Sequence, residues 1–345
     1  MLFTDKPLVD IVNIKTGKLN SNAATVDGLY PFFTCAPDPL RIDRYKYDQA
    51  AILLAGNNAE GNFHINYYEG KFEAYQRTYI IDSKDPSKYD LKYIFYALKE
   101  CLLDFKAMSQ GTSTKFLTMA ILNSFKIPVP DISVQKRIAH KLSLFDRKIE
   151  VNKLINTTLE EQALAIFDSM FPNVTEGEDK IGDYIVPKRG KGLLSKNAVP
   201  GDVPVVAGGL EPATYHNIAN TIAPVVTISA SGANAGFVNL WHIPVWSSDS
   251  SFIDSKATSD VYFWYVMLKK RQKEIFDAQT GSAQPHIYPQ HIGVMPIGKI
   301  NPVAITAYVR KVTPIFEMIG NNKKSNQCLS GMRDALLPRL MSGEI

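Results

Sequence analysis

The chain has 345 residues, of which 45% are hydrophobic and 21% are charged, and this balance excludes a disordered or fibrous protein. The net charge of +4 permits nucleic-acid binding but does not indicate it. Three widely spaced cysteines exclude a disulfide framework and a Cys-x-x-Cys metal site. No apolar run is long enough to span a bilayer and the N-terminus lacks the pattern of a signal peptide, so we expect a cytoplasmic protein.

The first half of the chain predicts a domain in which strands lead into polar loops. Residues 51–55 form an apolar strand that runs into a Gly/Asn/Ala loop, and residues 79–82 form a second strand. An aromatic helical segment at 93–98 precedes a polar loop at 110–113. A short strand that carries proline, at 127–130, closes the domain.

The same five segments recur in the same order in the second half of the chain. The corresponding residues are 226–236, 251–254, 261–266, 280–283 and 295–297. Because the order, spacing and chemistry agree, we expect an internal duplication rather than a chance similarity.

A long helix is predicted after each domain. Residues 131–171 contain neither Gly nor Pro and carry a heptad stripe, which predicts a helix about 55–60 Å long. The second helix begins with Asn301 as a cap and Pro302 in the first turn. Pro314 and Gly320 lie inside its pattern, so we expect a kink or break there.

The stripes of the two helices match without a gap at an offset of 170 residues. Asn152 and Asn322 occupy equivalent places, as do Asn156 and Asn326; these side chains either set the register from buried positions or face water at the rim. Each stripe needs an apolar partner, and the simplest is the other helix in an antiparallel pair. The predicted helix-pairing residues are Ile138, Leu142, Phe145, Ile149, Asn152, Asn156, Leu159, Ile166, Tyr308, Val312, Ile315, Ile319, Asn322, Asn326, Leu329 and Leu336.

Several motifs resemble the DNA specificity (S) subunit of type I restriction–modification systems. The chain closes on LLPRLMSGEI at 336–345, and the first half carries GTS at 111–113, IPVP at 127–130 and VQKRIA at 134–139. Single motifs of this kind are weak, but their order, repeated twice, is typical of the family. The second copy departs from the pattern at 304–306, where AIT replaces VQK.

The resemblance implies a non-catalytic subunit that recognises a split, asymmetric DNA sequence. Each globular unit would be a target recognition domain for one half of the site, and the helices would set the gap and dock two methyltransferase (M) subunits. Double-stranded DNA, the M subunits and restriction (R) subunits are the implied partners, with no membrane. No cofactor is expected in this chain, because S-adenosylmethionine, ATP and Mg would bind the partner subunits.

We therefore predict an α/β (α+β) fold with two similar target recognition domains. Two long antiparallel helices join them as a coiled-coil spacer, in a pseudo-two-fold internal repeat. The expected boundaries are 1–130 for the first recognition domain, 131–172 for the first spacer helix, 173–300 for the second recognition domain and 301–345 for the second spacer helix.

Candidate DNA contacts are polar and basic residues in the loops, because Arg, Lys, Asn, Gln, Ser and Thr contact base edges and phosphates. In the first domain they are Arg41, Arg44, Lys46, Asn57, Asn58, Gln76, Arg77, Thr112, Ser113 and Lys115. In the second domain they are Lys188, Arg189, Lys191, Ser231, Asn234, Ser282, Gln284 and His286. Any one of them alone is equally compatible with a solvated surface residue or a turn.

Enzymatic alternatives find little support in the sequence. No Pro-Pro dipeptide is available for the flipped-base motif of an adenine methyltransferase, and the histidines form no metal set. Pro37-Asp38 and Glu69-Gly70-Lys71 resemble a nuclease metal site, but the first predicts a turn and the second a hairpin tip. We therefore assign no catalytic residue and no metal ligand. A coiled-coil protein-interaction scaffold without sequence-specific DNA binding stays as the alternative.

Overall fold

The computed structural model describes residues 3–281 and 284–345. The chain forms two compact units. Unit 1 contains residues 1–149 and 327–345, and unit 2 contains residues 150–326. Each long helix therefore begins in one unit and ends in the other.

Unit 1 supplies the following elements in chain order: β1 Thr4–Pro7, α1 Leu8–Ile11, β2 Val12–Thr16, β3 Tyr30–Phe33, β4 Leu40–Ile42, β5 Tyr47–Ala55, β6 Asn57–Asn58, β7 Ile65–Ala74, β8 Thr78–Ser83, α2 Leu91–Glu100, α3 Leu102–Met108, β9 Lys115–Phe116, α4 Met119–Ser124 and β10 Lys126–Val129. Helix α5, Ile132–Met170, then leads into unit 2. Unit 2 continues with β11 Asp179–Lys180, α6 Ile181–Tyr184, β12 Lys188–Arg189, β13 Val203–Val206, β14 Thr214–His216, β15 Val225–Ser229, β16 Val238–Trp241, β17 Trp246–Ser247, β18 Ser250–Asp254, α7 Val261–Lys270, α8 Gln272–Asp277, α9 Pro289–Gly293, β19 Pro296–Ile297 and α10 Pro302–Met341.

A six-stranded sheet in the order β2-β8-β5-β7-β3-β4 forms the centre of unit 1. Neighbouring strands are antiparallel except β3 and β7, which are parallel. Side chains alternate between the faces of a strand, so β5 contributes Ile52 and Leu54 to one apolar core and Ala51 and Leu53 to another. The larger core also contains residues of α2, the start of α5 and the end of α10.

Unit 2 repeats this strand order in two pieces. The sheet β12-β18-β15-β16 corresponds to β2-β8-β5-β7, and the sheet β14-β13-β17 includes the same parallel contact, here between β13 and β17. Strands β16 and β17 together therefore take the place of the single strand β7. The predicted hairpin tip at residues 69–71 is wrong, because Gly70 lies inside β7 opposite Gln49, with a φ of 133° that only glycine adopts readily.

The duplication predicted from the sequence is confirmed in the backbone. Gln110 and Phe116 exchange two backbone hydrogen bonds, and Thr280 and His286 exchange the same two bonds 170 residues later. Gly111 and Gly281 follow the first residue of each loop with φ values of 111° and 96°. The two halves therefore share the same loop as well as the same sheet.

The sequence predicts a kink or break at Pro314 and Gly320. Helix α10 runs without interruption from Pro302 to Met341, so the predicted break is wrong. The side chains of Val312 and Phe316, on either side of the proline, are buried in the core of unit 2. This packing outweighs the loss of one backbone hydrogen bond at Pro314. The predicted cap is confirmed, since the Asn301 side chain accepts a hydrogen bond from Val303 N–H at 2.9 Å.

Within unit 2, the two long helices meet along a seam that contains all four predicted asparagines. Asn152 Nδ2 donates to Asn326 Oδ1 and Asn322 Nδ2 donates to Asn156 Oδ1, each at 2.8 Å. Asn152 pairs with Asn326 and Asn156 with Asn322, so residue numbers rise along one helix as they fall along the other, and the helix pair is antiparallel. Asn152 is 1% exposed, which supports the register-setting alternative over the water-facing one for this pair.

The helix-pairing residues named from the sequence are all buried or half-buried. The stripe nevertheless omits three side chains that are almost fully covered in unit 2, namely Ala163, Phe167 and Phe316. Phe167 contacts Phe263 of α7 and Tyr308 of the facing helix, and Tyr262 of α7 stacks on Phe316 with ring centroids 4.7 Å apart. A strict heptad count misses them because this part of each helix packs against a domain as well as against its partner.

Candidate nucleic-acid interface

The polar loops of the first domain come together at one end of its sheet. Strand β6 pairs with β9, which places Asn57 opposite Phe116 and Asn58 opposite Lys115. The loop at 110–116 is thereby held against the end of β5, and its predicted contact residues Thr112 and Ser113 are exposed. Asn57 Oδ1 is buried and has no hydrogen-bond partner among the described residues.

Arg77 lies immediately before β8 and contacts both Gly56 and Phe116. These three residues form the Arg77 cluster. The Arg77 carbonyl oxygen accepts a hydrogen bond from Gly56 N–H at 2.8 Å, which fixes the backbone against the end of β5. Its guanidinium carbon lies 5.2 Å from the centroid of the Phe116 ring, a cation–π contact that orients the group without neutralising its charge. The neighbouring Gln76 donates from Nε2 to Asn20 Oδ1 at 2.8 Å.

These residues line a cavity of about 370 Å³. Its wall consists of Thr16, Gly56, Gln76, Arg77, Tyr79, Phe116, Leu117, Thr118 and Met119. The exposed Arg77 side chain is the charged group of this wall, so the cavity presents hydrogen-bond donors to an approaching ligand.

In the second domain, three predicted contacts group around Asp249, which was not itself predicted. The Asp249 cluster consists of Asp249, Arg189, Ser231 and His286. Arg189 Nη2 lies 2.6 Å from Asp249 Oδ1, and the Ser231 hydroxyl donates to Asp249 Oδ2. Ser231 forms a backbone bridge with His286, whose ring stacks on Tyr288 at 6.0 Å between centroids. Asp249 precedes β18 as Arg77 precedes β8, so the repeat register was the signal that could have found it.

Comparisons with known proteins agree with this architecture. Residues 2–161 match the family model of the type I restriction modification DNA specificity domain. The type I restriction enzyme EcoDI specificity subunit of Escherichia coli is 35% identical over 146 residues, which cover 42% of this chain and 32% of that protein. S.MpnORF638P of Mycoplasma pneumoniae, which is named as a type I specificity subunit, is 24% identical over 98% of this chain and 96% of its own length.

Residues 2–161 therefore contain a type I restriction modification DNA specificity domain. The resemblance inferred from the motifs is thus confirmed. The crystal structure of a type I restriction–modification S subunit from Mycoplasma genitalium superposes with a TM-score of 0.58 at 21% identity, over 98% of this chain and 96% of that one, and shows the same fold. The fold predicted from the sequence, two mixed α/β domains with long helical spacers, is confirmed.

The other predicted DNA contacts of the first domain lie on different elements. Arg41 is on the edge strand β4, opposite Pro31 of β3, and Arg44 and Lys46 are exposed in the connection to β5. The structure therefore divides the first-domain candidates between the sheet edge and the Arg77 cluster. Lys46 Nζ lies 5.8 Å from the centroid of the Tyr47 ring.

The remaining candidates of the second domain flank the Asp249 cluster. Lys188 and Arg189 form the edge strand β12, and Lys191 N–H donates to the Ser247 carbonyl oxygen at 2.9 Å. Asn234 is half-buried in the turn after β15, and Gln284 is exposed. Ser282 lies outside the described residues.

A tyrosine in each unit holds a carboxylate on a long helix. Tyr96 Oη donates to Asp146 Oδ2 of α5 at 2.6 Å, and Arg333 of α10 forms an ion pair with the other oxygen of the same carboxylate. In unit 2, Tyr265 Oη donates to Glu160. Burial, reinforced by the acceptor carboxylate, raises the pKa of Tyr96 and of Tyr265, so both stay protonated donors that fasten domain to helix.

Across residues 3–281 and 284–345, no three His, Cys, Asp or Glu side chains lie close enough together to hold a metal ion. In the same residues, no helix combines the length and apolarity needed to cross a membrane.

Proposed function

We propose that this chain is the non-catalytic DNA-reading subunit of a type I restriction–modification enzyme. Each domain reads one half of a split, asymmetric DNA site, and the helix pair fixes the gap between the halves. Two M subunits dock on the chain, with R subunits in the full complex, and these partners bind S-adenosylmethionine, ATP and Mg. The enzyme acts in the cytoplasm.

The observation that carries this proposal is the duplicated loop cluster. The same backbone arrangement occurs once in each domain, and each copy presents polar side chains at the same place. The side chains differ between the copies, with Arg77 in one and Asp249 in the other. A duplicated scaffold with two different reading surfaces is what an asymmetric bipartite site requires, because such a site has two unlike halves.

The helices have the length that this role needs. Helix α5 contains 39 residues and α10 contains 40, so each extends about 60 Å. Two half-sites on one face of B-DNA are centred about 34–36 Å apart, or a multiple of this distance. The asparagine pairs fix the register of the seam, and a fixed register gives a fixed gap.

The proposal is tested with the chain co-expressed with its type I methyltransferase subunit. The purified complex is used to select duplexes from a random-sequence DNA library. We expect enrichment of a motif with two defined halves and a constant gap. A complex that forms but enriches no motif would contradict the proposal and support the interaction scaffold.

Modular reading is tested with matched variants of the two domains. Two duplexes are used, each with one intact half-site. Arg41→Ala with Arg44→Ala should weaken binding to the duplex that keeps the first domain's half-site. Lys188→Ala with Lys191→Ala should weaken binding to the duplex that keeps the second domain's half-site. Equal losses on both duplexes for either variant would contradict independent reading by the two domains.

A further inference from the structure

Backbone hydrogen bonds align the two loop clusters residue by residue. Gly56 N–H donates to the Arg77 carbonyl at 2.8 Å, and Ala230 N–H donates to the Asp249 carbonyl at 3.1 Å. Leu117 N–H donates to the Gly56 carbonyl and Ile287 N–H to the Ala230 carbonyl, both at 2.9 Å. Arg77 and Asp249 therefore occupy the same backbone position in the two domains.

A second pair of equivalent positions lies beside the first. Gly17 N–H donates to the Thr78 carbonyl at 3.2 Å, and Gly190 N–H donates to the Ser250 carbonyl at 2.8 Å. The residue before each glycine is Thr16 in the first domain and Arg189 in the second. The loop register also matches Phe116 with His286.

The two clusters thus place different charges on one scaffold. The first combines Thr16 with an exposed Arg77 that stacks on Phe116, and no ion pair neutralises Arg77 within the described residues. The second combines Arg189 with Asp249, whose side chains are 41% and 38% exposed. The charged side chain of the first cluster is thus a donor, whereas the second cluster has a charged donor beside a charged acceptor.

A phosphate contact does not fit both clusters, whereas a base contact does. Asp249 would repel a phosphate placed where Arg77 would attract one. In the major groove, guanine presents two acceptors to Arg, while adenine and cytosine present an exocyclic amino group that a carboxylate accepts. The Asp249 carboxylate receives one bond from Ser231 and one from Arg189, and its remaining lone pairs can accept another.

We propose that this shared backbone position makes the two half-sites different. Arg77 reads guanine in one half, and Asp249, held by Arg189, reads a base with an exocyclic amino group, adenine or cytosine, in the other. This inference rests on the proposed function and names the residue that sets the base preference of each domain.

The test uses the same complex and the same random duplex library, with Arg77→Gln and Asp249→Asn variants. Arg77→Gln should lower the preference for guanine at one position of one half by roughly 5- to 150-fold and leave the other half unchanged. Asp249→Asn should lower the preference for adenine or cytosine in the other half only. Arg77→Lys keeps the charge but not the planar fork, so it should retain most of the affinity and lower the guanine preference less than Arg77→Gln does.

Matched controls are available in the same domains. Lys88 follows the opposite end of β8 and forms an exposed ion pair with Asp85, and Asp277 forms one with Lys273. Lys88→Gln and Asp277→Asn should leave the motif unchanged. If Arg77→Gln and Asp249→Asn bind more weakly with unchanged motifs, these residues do not read bases. If the native complex enriches no motif at all, the proposed function itself fails.

Discussion

The buried asparagine pair in the helix seam leads to a quantitative prediction. Asn152→Ala removes a 2.8 Å hydrogen bond and deprives Asn326 of a donor at a site where Asn152 is 1% exposed. We expect the free energy of unfolding to fall by about 1–3 kcal/mol. For a unit of this size the melting temperature should fall by about 2–4 °C for each kcal/mol.

The pseudo-symmetric pair serves as the internal control. Asn156 is half-buried and accepts the equivalent bond from Asn322, so water can replace part of the lost contact in Asn156→Ala. We expect a cost of about 0.5–1.5 kcal/mol there. The double variant Asn152→Leu with Asn326→Leu should recover part of the stability, because neither amide is then left without the other.

Urea denaturation followed by far-UV circular dichroism measures these differences, and calorimetry checks them. Equal losses for Asn152→Ala and Asn156→Ala would refute the role assigned to burial. A double leucine variant as unstable as Asn152→Ala would show that the asparagine pair contributes more than mutual satisfaction of two polar groups.

Three further predictions concern the long helices and a side chain that packs against one of them. A Cβ on Gly320 would lie 2.8 Å from the His242 ring, whereas Gly331 has open space around it. Gly331→Ala should therefore stabilise the chain by about 0.5–1 kcal/mol, and Gly320→Ala should destabilise it. Equal shifts of the melting temperature for the two variants would contradict this. Burial lowers the pKa of His242 from 6.5 to about 4. As the pH falls, His242 is therefore protonated in the unfolded chain before it is protonated in the folded chain. Stability should therefore fall as the pH drops from about 6.5 to about 4, and a native pH profile for His242→Phe would overturn the assignment. The Arg333 side chain is 13% exposed in its ion pair with Asp146 of α5, and the Arg339 side chain is 50% exposed in its ion pair with Glu344. Arg333→Ala should therefore lower the free energy of unfolding, measured by urea denaturation, by about 1–3 kcal/mol, and Arg339→Ala by less than about 1 kcal/mol. A larger loss for Arg339→Ala would be inconsistent with these contacts.

The features that the sequence predicted well are those set by local pattern. The duplicated loops carry Gly111 and Gly281 at equivalent places, and the helix stripes repeat at a constant offset, so order and spacing were sufficient. The cap at Asn301 is also a local signal, because the capping bond reaches only two residues ahead.

The features that the sequence did not predict depend on contacts between distant residues. Gly320 is required because His242 packs against the helix at that point, and no spacing within the helix indicates this. Helix α10 continues past Pro314 because the core on both sides holds it. Gly70 was mistaken for a turn because glycine favours both turns and strand irregularities. Asp249 was not predicted because Arg, Lys, Asn, Gln, Ser and Thr are the residue types expected at DNA contacts, and a carboxylate is not among them.

The measurement that tests the proposed function most directly lengthens both helices and maps DNA methylation. Residues 151–157 and 321–327 are each duplicated, which adds one heptad to each helix and repeats both asparagine pairs. N6-methyladenine is then mapped by long-read sequencing in cells that also express the methyltransferase subunit.

Seven added residues lengthen a helix by about 10 Å, which corresponds to about three base pairs of B-DNA. We expect the native chain to direct methylation of a split motif, and the lengthened chain to direct methylation of the same two halves with a gap wider by about three base pairs. The same halves with an unchanged gap would contradict the role of the helix pair in setting the distance.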